Sequence, residues 1–257
     1  MLNRFEKQND AAFLVYEFSN LVVPSEENDD IQFLLSKIDL KSFFKKLAST
    51  IRVIEQALSQ NNPETICVSF NGGKDCCIVL YLYYAVAKRL NIKLPLKVVL
   101  IQIENEFNQM KTFQQELITS FYKSSLKCIS FEDTSKSIKE CLTELKKIDP
   151  LIKNILLGTR RTDSSYFEKM PYFSPTDCDW PEFMRVSPIL DWTYHEVWFF
   201  IKKLEIPYCI LYDQGYTSID NTQNTVKNEC LLSDDLISYL PAFKLDNPKT
   251  ERCSRKK

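Results

Sequence analysis

Residues 65–82 read Thr-Ile-Cys-Val-Ser-Phe-Asn-Gly-Gly-Lys-Asp-Cys-Cys-Ile-Val-Leu-Tyr-Leu, and they constrain the fold more than any other stretch of the chain. The β-branched and aromatic run over 65–70 predicts a buried parallel strand, and from Cys76 the apolar periodicity lengthens to that of a helix. Between them lies Asn71-Gly72-Gly73-Lys74-Asp75. Adjacent glycines let backbone N–H groups turn toward one point, and the helix N-terminus beyond adds partial positive charge, so the loop suits a phosphate. The plainer reading is an ordinary strand-to-helix turn, and glycine usage weighs against it. Average usage would place about 18 glycines in a chain of this length. This one has four, Gly72, Gly73, Gly158 and Gly215, each in a loop of functional character. The spacing matches neither G-x-x-x-x-G-K-[ST] nor G-x-G-x-x-G, which makes this a different phosphate cradle.

The remaining periodicities build an α/β protein. Residues 1–60 read as a helical N-terminal layer, with apolar positions at Phe13, Leu14, Tyr16 and Phe18, then Ile31, Phe33, Leu34, Leu35 and Ile38, and a polar break over 24–31 where Asp29 or Asp30 caps the second helix. Phe43, Phe44, Leu47, Ile51, Ile54 and Leu58 continue at helical spacing. Residues 61–257 form the main domain. A helix over 76–90 precedes a strand over 96–103, a helix over 107–123, a strand over 126–131, a helix over 134–147 and a strand over 154–157. The expectation is an open, mostly parallel, Rossmann-like sheet with right-handed crossovers and helices on both faces. Ligands of such sheets bind outside the carboxyl ends of the strands, here Phe70, Ile101-Gln102 and Gly158. Residues 166–183 read as a long irregular, aromatic-rich loop, 186–190 and 193–204 as a further strand and helix, and the chain from Leu231 as a helix followed by an arm.

Charge and composition narrow the chemistry. A net charge of −1 offers no general attraction to nucleic acid or anionic lipid. No apolar run has the length of a membrane span, the N-terminus lacks a signal-peptide core, and nine cysteines without a C-x-x-C pair suit a reducing compartment, so a soluble cytoplasmic protein is expected. The single histidine, His195, lies in an apolar helix and reads as structural. Five of the eight arginines, Arg160, Arg161, Arg185, Arg252 and Arg255, fall in the loops of interest, and the guanidinium fork pairs bidentately with phosphate. Glu104 and Glu106 are open between metal-facing acids and plain loop residues. Asp163 is open between fixing its own loop and holding Mg²⁺, which favours carboxylate and phosphate oxygens. Trp192 is open between core and pocket wall.

The segment Ser69-Phe70-Asn71-Gly72-Gly73-Lys74-Asp75-Cys76 resembles the pyrophosphate loop of the adenine nucleotide α-hydrolase-like superfamily, in the form found in eukaryotic FAD synthetases (FMN adenylyltransferases) of the PAPS reductase-like group. The likeness continues through Gly158-Thr-Arg-Arg-Thr-Asp163, Thr176-Asp-Cys-Asp-Trp-Pro181, Pro188-Ile-Leu-Asp-Trp192, Tyr212-Asp-Gln-Gly-Tyr-Thr-Ser218, Pro241-Ala-Phe243 and Glu251-Arg-Cys-Ser-Arg255, and so covers roughly residues 60 to 256. The resemblance implies that ATP and FMN react to FAD and pyrophosphate with Mg²⁺, and that apoflavoproteins take up the product. It assigns ATP to Ser69, Phe70, Asn71, Gly72, Gly73, Lys74, Asp75, Ile101, Gln102, Gly158, Arg160 and Arg161. It assigns the flavin to Asp177, Asp179, Trp180, Arg185 and Trp192, the metal to Asp75 and Asp163, and catalysis to Asn71, Asp75, Arg160, Asp163, Arg252 and Arg255. Ser164 and Asp220 depart from the family's usual proline and glycine. Many animal relatives carry an upstream molybdopterin-binding-like domain, which is not expected in a chain of this length. Two alternatives stand beside it: a phosphoadenylyl sulfate reductase, for which Cys253 would be the catalytic cysteine, and a non-catalytic nucleotide or flavin binder.

Overall fold

The structure is a computed structural model that describes residues 29–93 and 95–256. The helical positions expected at Phe13 to Phe18 lie outside the described residues. Helix α1 (Asp29–Leu35) is followed by α2 (Leu40–Gln60), whose start is fixed by Asp39 accepting a hydrogen bond from the Lys41 N–H. Phe43, Leu47, Ile51, Ile54 and Leu58 recur on one face of α2 and are buried, which seats the helix on the sheet side of the molecule. The N-terminal layer thus shares one core with the sheet rather than forming a core of its own.

Six strands, β1 (Ile66–Phe70), β2 (Leu96–Ile101), β3 (Leu126–Phe131), β4 (Asn154–Leu156), β5 (Phe173–Pro175) and β6 (Met184–Val186), form one sheet in the order β3-β2-β1-β4-β6-β5. All neighbours are parallel except β5, which runs antiparallel to β6 at the edge. Among the described residues four further α-helices follow: α3 (Lys74–Arg89), α4 (Asn108–Glu116), α5 (Ile138–Ile148) and α6 (Tyr194–Lys203). Side-chain alternation divides β1 between two faces. Val68 and Phe70 join the large core with α1, α2, α3 and α6, whereas Cys67 faces a smaller core with Val99, Ile155, Cys141 and Leu145 under α5.

Several boundaries differ from the sequence reading. The helix expected from residue 134 begins at Ile138, because Ser137 and Glu140 form a reciprocal capping box there. The strand expected over 186–190 ends at Val186, and the chain turns so that the Leu190 N–H reaches Ser187 O. The loop over 166–183 is not structureless, since it contributes β5. No α-helix follows Leu231 among the described residues: a 3₁₀ turn at Glu229–Leu231 leads into a tight turn in which Ser233 and Ser238 pair through the backbone, and the later helical turns, Ala242–Lys244 and Pro248–Ser254, are 3₁₀. All nine cysteines are free thiols. His195 is buried and its Nε2 meets Leu245 O at 2.8 Å, a structural role. Among the described residues no helix is long and apolar enough to cross a membrane.

Candidate active site

Strands β2 and β3 follow β1 on one side of the sheet, and the chain then returns to place β4 on β1's other flank. This reversal opens a crevice at the carboxyl ends of β1 and β4, where open α/β sheets bind ligands. Two glycines let the backbones meet there. Gly72 has φ +74°, and a Cβ on it would stand 2.4 Å from Met110 Sδ. A Cβ on Gly158, just past β4, would come within 2.9 Å of the Asp75 carbonyl carbon and the Cys76 nitrogen. The loop after β4 therefore lies directly on the first turn of α3. The cap position of α3 is Gly73, which has no side chain to satisfy the first-turn amides. Asn71 Oδ1 accepts from the Gly73 N–H at 2.9 Å, and the Tyr212 hydroxyl accepts from the Lys74 N–H at 3.1 Å.

Below this rim sits a charged cluster. Arg160 is 1 % exposed and Lys74 2 % exposed. The Lys74 ammonium meets Glu251 Oε1 at 2.6 Å and Asp75 Oδ2 at 3.0 Å, beneath the rings of Tyr194 and Tyr212. Arg160 Nη2 donates to both Glu251 oxygens at 2.7 Å and to Asp163 Oδ1 at 3.1 Å, while Nε lies 3.0 Å from Asp75 Oδ1. These placements correct the expectation that Lys74 and Arg160 turn their charge to phosphate. Both cations point inward, because three carboxylates make their burial tolerable. Burial pushes the Glu251 carboxyl up, but Lys74 and Arg160 outweigh it and hold it at about 2. Burial raises the Asp163 carboxyl above its ordinary range in spite of Arg160, and Asp75 adds to the rise.

Glu251 is the residue that sequence reasoning missed. It was visible only as the first letter of the Glu251-Arg-Cys-Ser-Arg255 motif, and nothing local signals that it lies against α3. The segment Pro248–Ser254 is carried there by the Thr217 hydroxyl, which donates to Glu251 O at 2.6 Å and lies 2.8 Å from Ser254 Oγ. Arg252 is left on the rim, its side chain 54 % exposed and its Nη2 3.9 Å from Asp163. Arg255 is tied back: Nε donates to Ser218 Oγ, Nη2 to Ile219 O, and Nη1 pairs with Asp220 at 2.9 Å. The departure noted at Asp220 thus supplies the partner of Arg255.

Beside the crevice, on the α5 face, is a cavity of about 370 Å³. Ser69 and Ile101 line it from the strand ends, and Asp177, Trp180 and Arg185 from the segment around β5 and β6. The sheet brings these residues together from distant sequence because Ser69 lies beside Val99, and Cys67, Ile155 and Arg185 are in register across β1, β4 and β6. Arg185 Nη2 donates to Pro175 O at 2.7 Å and stands 3.5 Å from Asp177. Other residues expected at the ligands stand as follows. Trp192 is core, packed on Phe43 and Phe200 with its indole N–H donated to Thr50. Arg161 binds Asp191 and the carbonyls of Glu168 and Met170, so its fork clamps a loop rather than facing phosphate. Asp179 points outward to Lys139 at 3.1 Å. Phe70 is core and Gln102 donates its N–H to Phe131 O.

The sequence matches the family model of the phosphoadenosine phosphosulfate reductase domain over residues 65–227. It is 38 % identical over 218 residues to a probable FAD synthase of Caenorhabditis elegans, covering 83 % of this chain and 41 % of that protein. It is 35 % identical over 220 residues to a probable FAD synthase of Schizosaccharomyces pombe, covering 82 % of this chain and 78 % of that one. The chain thus spans about two-fifths of the nematode relative and most of the fission yeast one. The structure superposes on a crystal structure of Candida glabrata FMN adenylyltransferase in complex with FMN and the ATP analog AMPCPP, with a TM-score of 0.78 and 25 % identity, covering 96 % of this chain and 99 % of that one.

Proposed function

We propose a reaction from one premise: the chain belongs to the phosphoadenosine phosphosulfate reductase domain family, on the branch of the FAD synthases. The reaction is transfer of the adenylyl group of ATP to the phosphate of FMN, giving FAD and pyrophosphate. One observation carries the reading. The loop after β1, the loop after β4 and the C-terminal arm meet on one rim, joined by Glu251 bridging Lys74 and Arg160 and by Arg252 standing 3.9 Å from Asp163.

The chemistry asks little of side chains. A phosphate monoester has a second pKa of about 6, so the attacking FMN oxygen is already anionic and needs no general base. The protein has to align that oxygen with the α-phosphorus and stabilise charge along the triphosphate. The first turn of α3 and the glycine loop receive the phosphates. Arg252 supplies the accessible positive charge for the FMN phosphate or the departing pyrophosphate. Lys74, Arg160 and Glu251 act from beneath by fixing Asp75 and Asp163. The cavity beside the crevice takes the flavin ring on the side of Asp177, Trp180 and Arg185, and the adenine lies at its strand-end side, where Ser69 and Ile101 line it next to Gln102. Asp75 and Asp163 are the residues that would hold Mg²⁺, by the chemistry of their carboxylate donors: with Glu251 the cluster carries three carboxylates against the two buried cations Lys74 and Arg160. When bound there, Mg²⁺ would neutralise triphosphate charge.

The test is purified protein with ATP, Mg²⁺ and FMN, monitored by chromatography for FAD and pyrophosphate. Absence of FAD with both substrates bound would overturn the reading in favour of a binding protein. Cys253 is exposed and makes none of the cluster's contacts. Cys253→Ser should therefore keep FAD formation, whereas the reductase alternative requires loss of activity.

A further inference from the structure

The mechanism above leaves unused a buried polar pair that touches the glycine loop. Gln114, on α4, is 1 % exposed, and Glu106, in the loop before α4, is 9 % exposed. Gln114 Nε2 donates to Asn71 O at 2.9 Å and to Glu106 Oε1 at 2.7 Å, which occupies both of its amide hydrogens. The Gln114 Cγ lies 3.0 Å from the point where a Gly72 side chain would begin, so the amide is wedged against the loop. Glu106, which the sequence left open between a metal-facing acid and a plain loop residue, is set against Gln114. It is turned inward, and burial raises its carboxyl above the ordinary range.

The geometry points to Gln114, held by Glu106, as the positioning residue of the phosphate loop, an inference that rests on the proposed use of that loop for ATP. The Asn71 C=O and the Gly72 N–H belong to one planar trans peptide and point in opposite directions. Drawing the carbonyl onto Gln114 therefore turns the Gly72 N–H away from α4. The next two amides are already taken by Asn71 Oδ1 and the Tyr212 hydroxyl, whereas the Gly72 N–H has no partner among the described residues. A loop with φ +74° at Gly72 has a second accessible peptide orientation, and a buried acceptor left unpaired is costly, so the pair selects one orientation of the donor. Glu106 in turn fixes which way the Gln114 amide is flipped, because only its NH₂ end can donate to a carboxylate and a carbonyl together.

The experiment is binding of AMPCPP by calorimetry, with thermal melting and steady-state kinetics on the same proteins. Gln114→Leu should weaken AMPCPP binding about tenfold and raise the KM for ATP by a similar factor, with the KM for FMN within about twofold of wild type. Glu106→Leu should do the same more weakly, and Glu106→Gln, which keeps an oxygen acceptor, should restore AMPCPP affinity. In the double Leu variant the loss should not exceed that of Gln114→Leu alone, as expected for residues acting in series. A Gln114→Leu protein that melts lower yet binds AMPCPP normally would overturn the inference and leave a purely structural role. If Gln114→Leu does not fold, the comparison of Glu106→Leu with Glu106→Gln decides: equal AMPCPP affinities overturn it. Because AMPCPP binding needs no turnover, the inference can stand where FAD formation fails, and the two readings fail separately.

Discussion

At the scale of single residues, the charges that the sequence offers to a phosphate divide into two kinds. Lys74 and Arg160 are internal counter-ions, and Arg252 is the accessible one. Glu251→Gln separates these roles. It removes the negative charge between two buried cations, and breaking a buried pair costs about 3–5 kcal/mol. Urea unfolding should show a loss of that order, with FAD formation abolished even where the fold survives. Arg252→Ala should leave the urea midpoint within experimental spread, since exposed ion pairs contribute little, and should reduce kcat/KM for FMN by about a hundredfold, the loss of a charge-assisted phosphate contact. Asn71 is exposed and caps the Gly73 N–H, so Asn71→Ala should cost about 1 kcal/mol in stability and proportionately more in turnover. An Asn71→Ala enzyme with normal turnover would show that the cap matters only to the helix.

At the scale of elements, the site depends on how closely the loop after β4 can lie on α3. Gly158→Ala places a methyl 2.9 Å from backbone atoms of Asp75 and Cys76, which cannot rotate aside as a side chain would. Overpacking of this kind costs about 1–3 kcal/mol. The thermal midpoint should fall and AMPCPP binding should weaken together, because the same backbone shift moves Asp75 and the first turn of α3. A variant that melts lower but binds normally would mean that the loop after β4 is not part of the nucleotide site. Truncating Trp192 is the contrasting case. It is core, joined to Phe43, Phe200 and Thr50, so Trp192→Ala should cost about 3–5 kcal/mol with no selective effect on the KM for FMN among molecules that remain folded.

At the scale of the whole molecule, the arm Pro248–Ser254 closes the structure by delivering a carboxylate into the cluster beneath the crevice. That closure has a pH signature. Glu251 sits at about 2 in the fold against an ordinary 4.5, so the unfolded chain takes up its proton first. Its contribution is fully present above pH 4.5 and is lost as the pH falls toward 2. Burial lowers His195 below its ordinary 6.5, so stability should already begin to decline as the pH drops through that value. Urea midpoints measured from pH 7 downward should therefore fall in two stages, and Glu251→Gln should flatten the acid stage alone.

The sequence by itself determined the strand-loop-helix at residues 65–82, the succession of strands and helices that makes a mostly parallel sheet, and the rim on which the glycine loops open, because alternation, helical periodicity and glycine placement are local properties. Tertiary structure alone decided the inward turn of Lys74 and Arg160, the arrival of Glu251 from the far end of the chain, the burial of Trp192 and the pairing of Gln114 with Asn71 O. The physical reason is that a charged or polar side chain shows in sequence only what it is able to bind. Whether it meets solvent, substrate or a buried partner depends on groups far off in the chain, as Lys74 depends on Glu251 177 residues away, and no local pattern contains that.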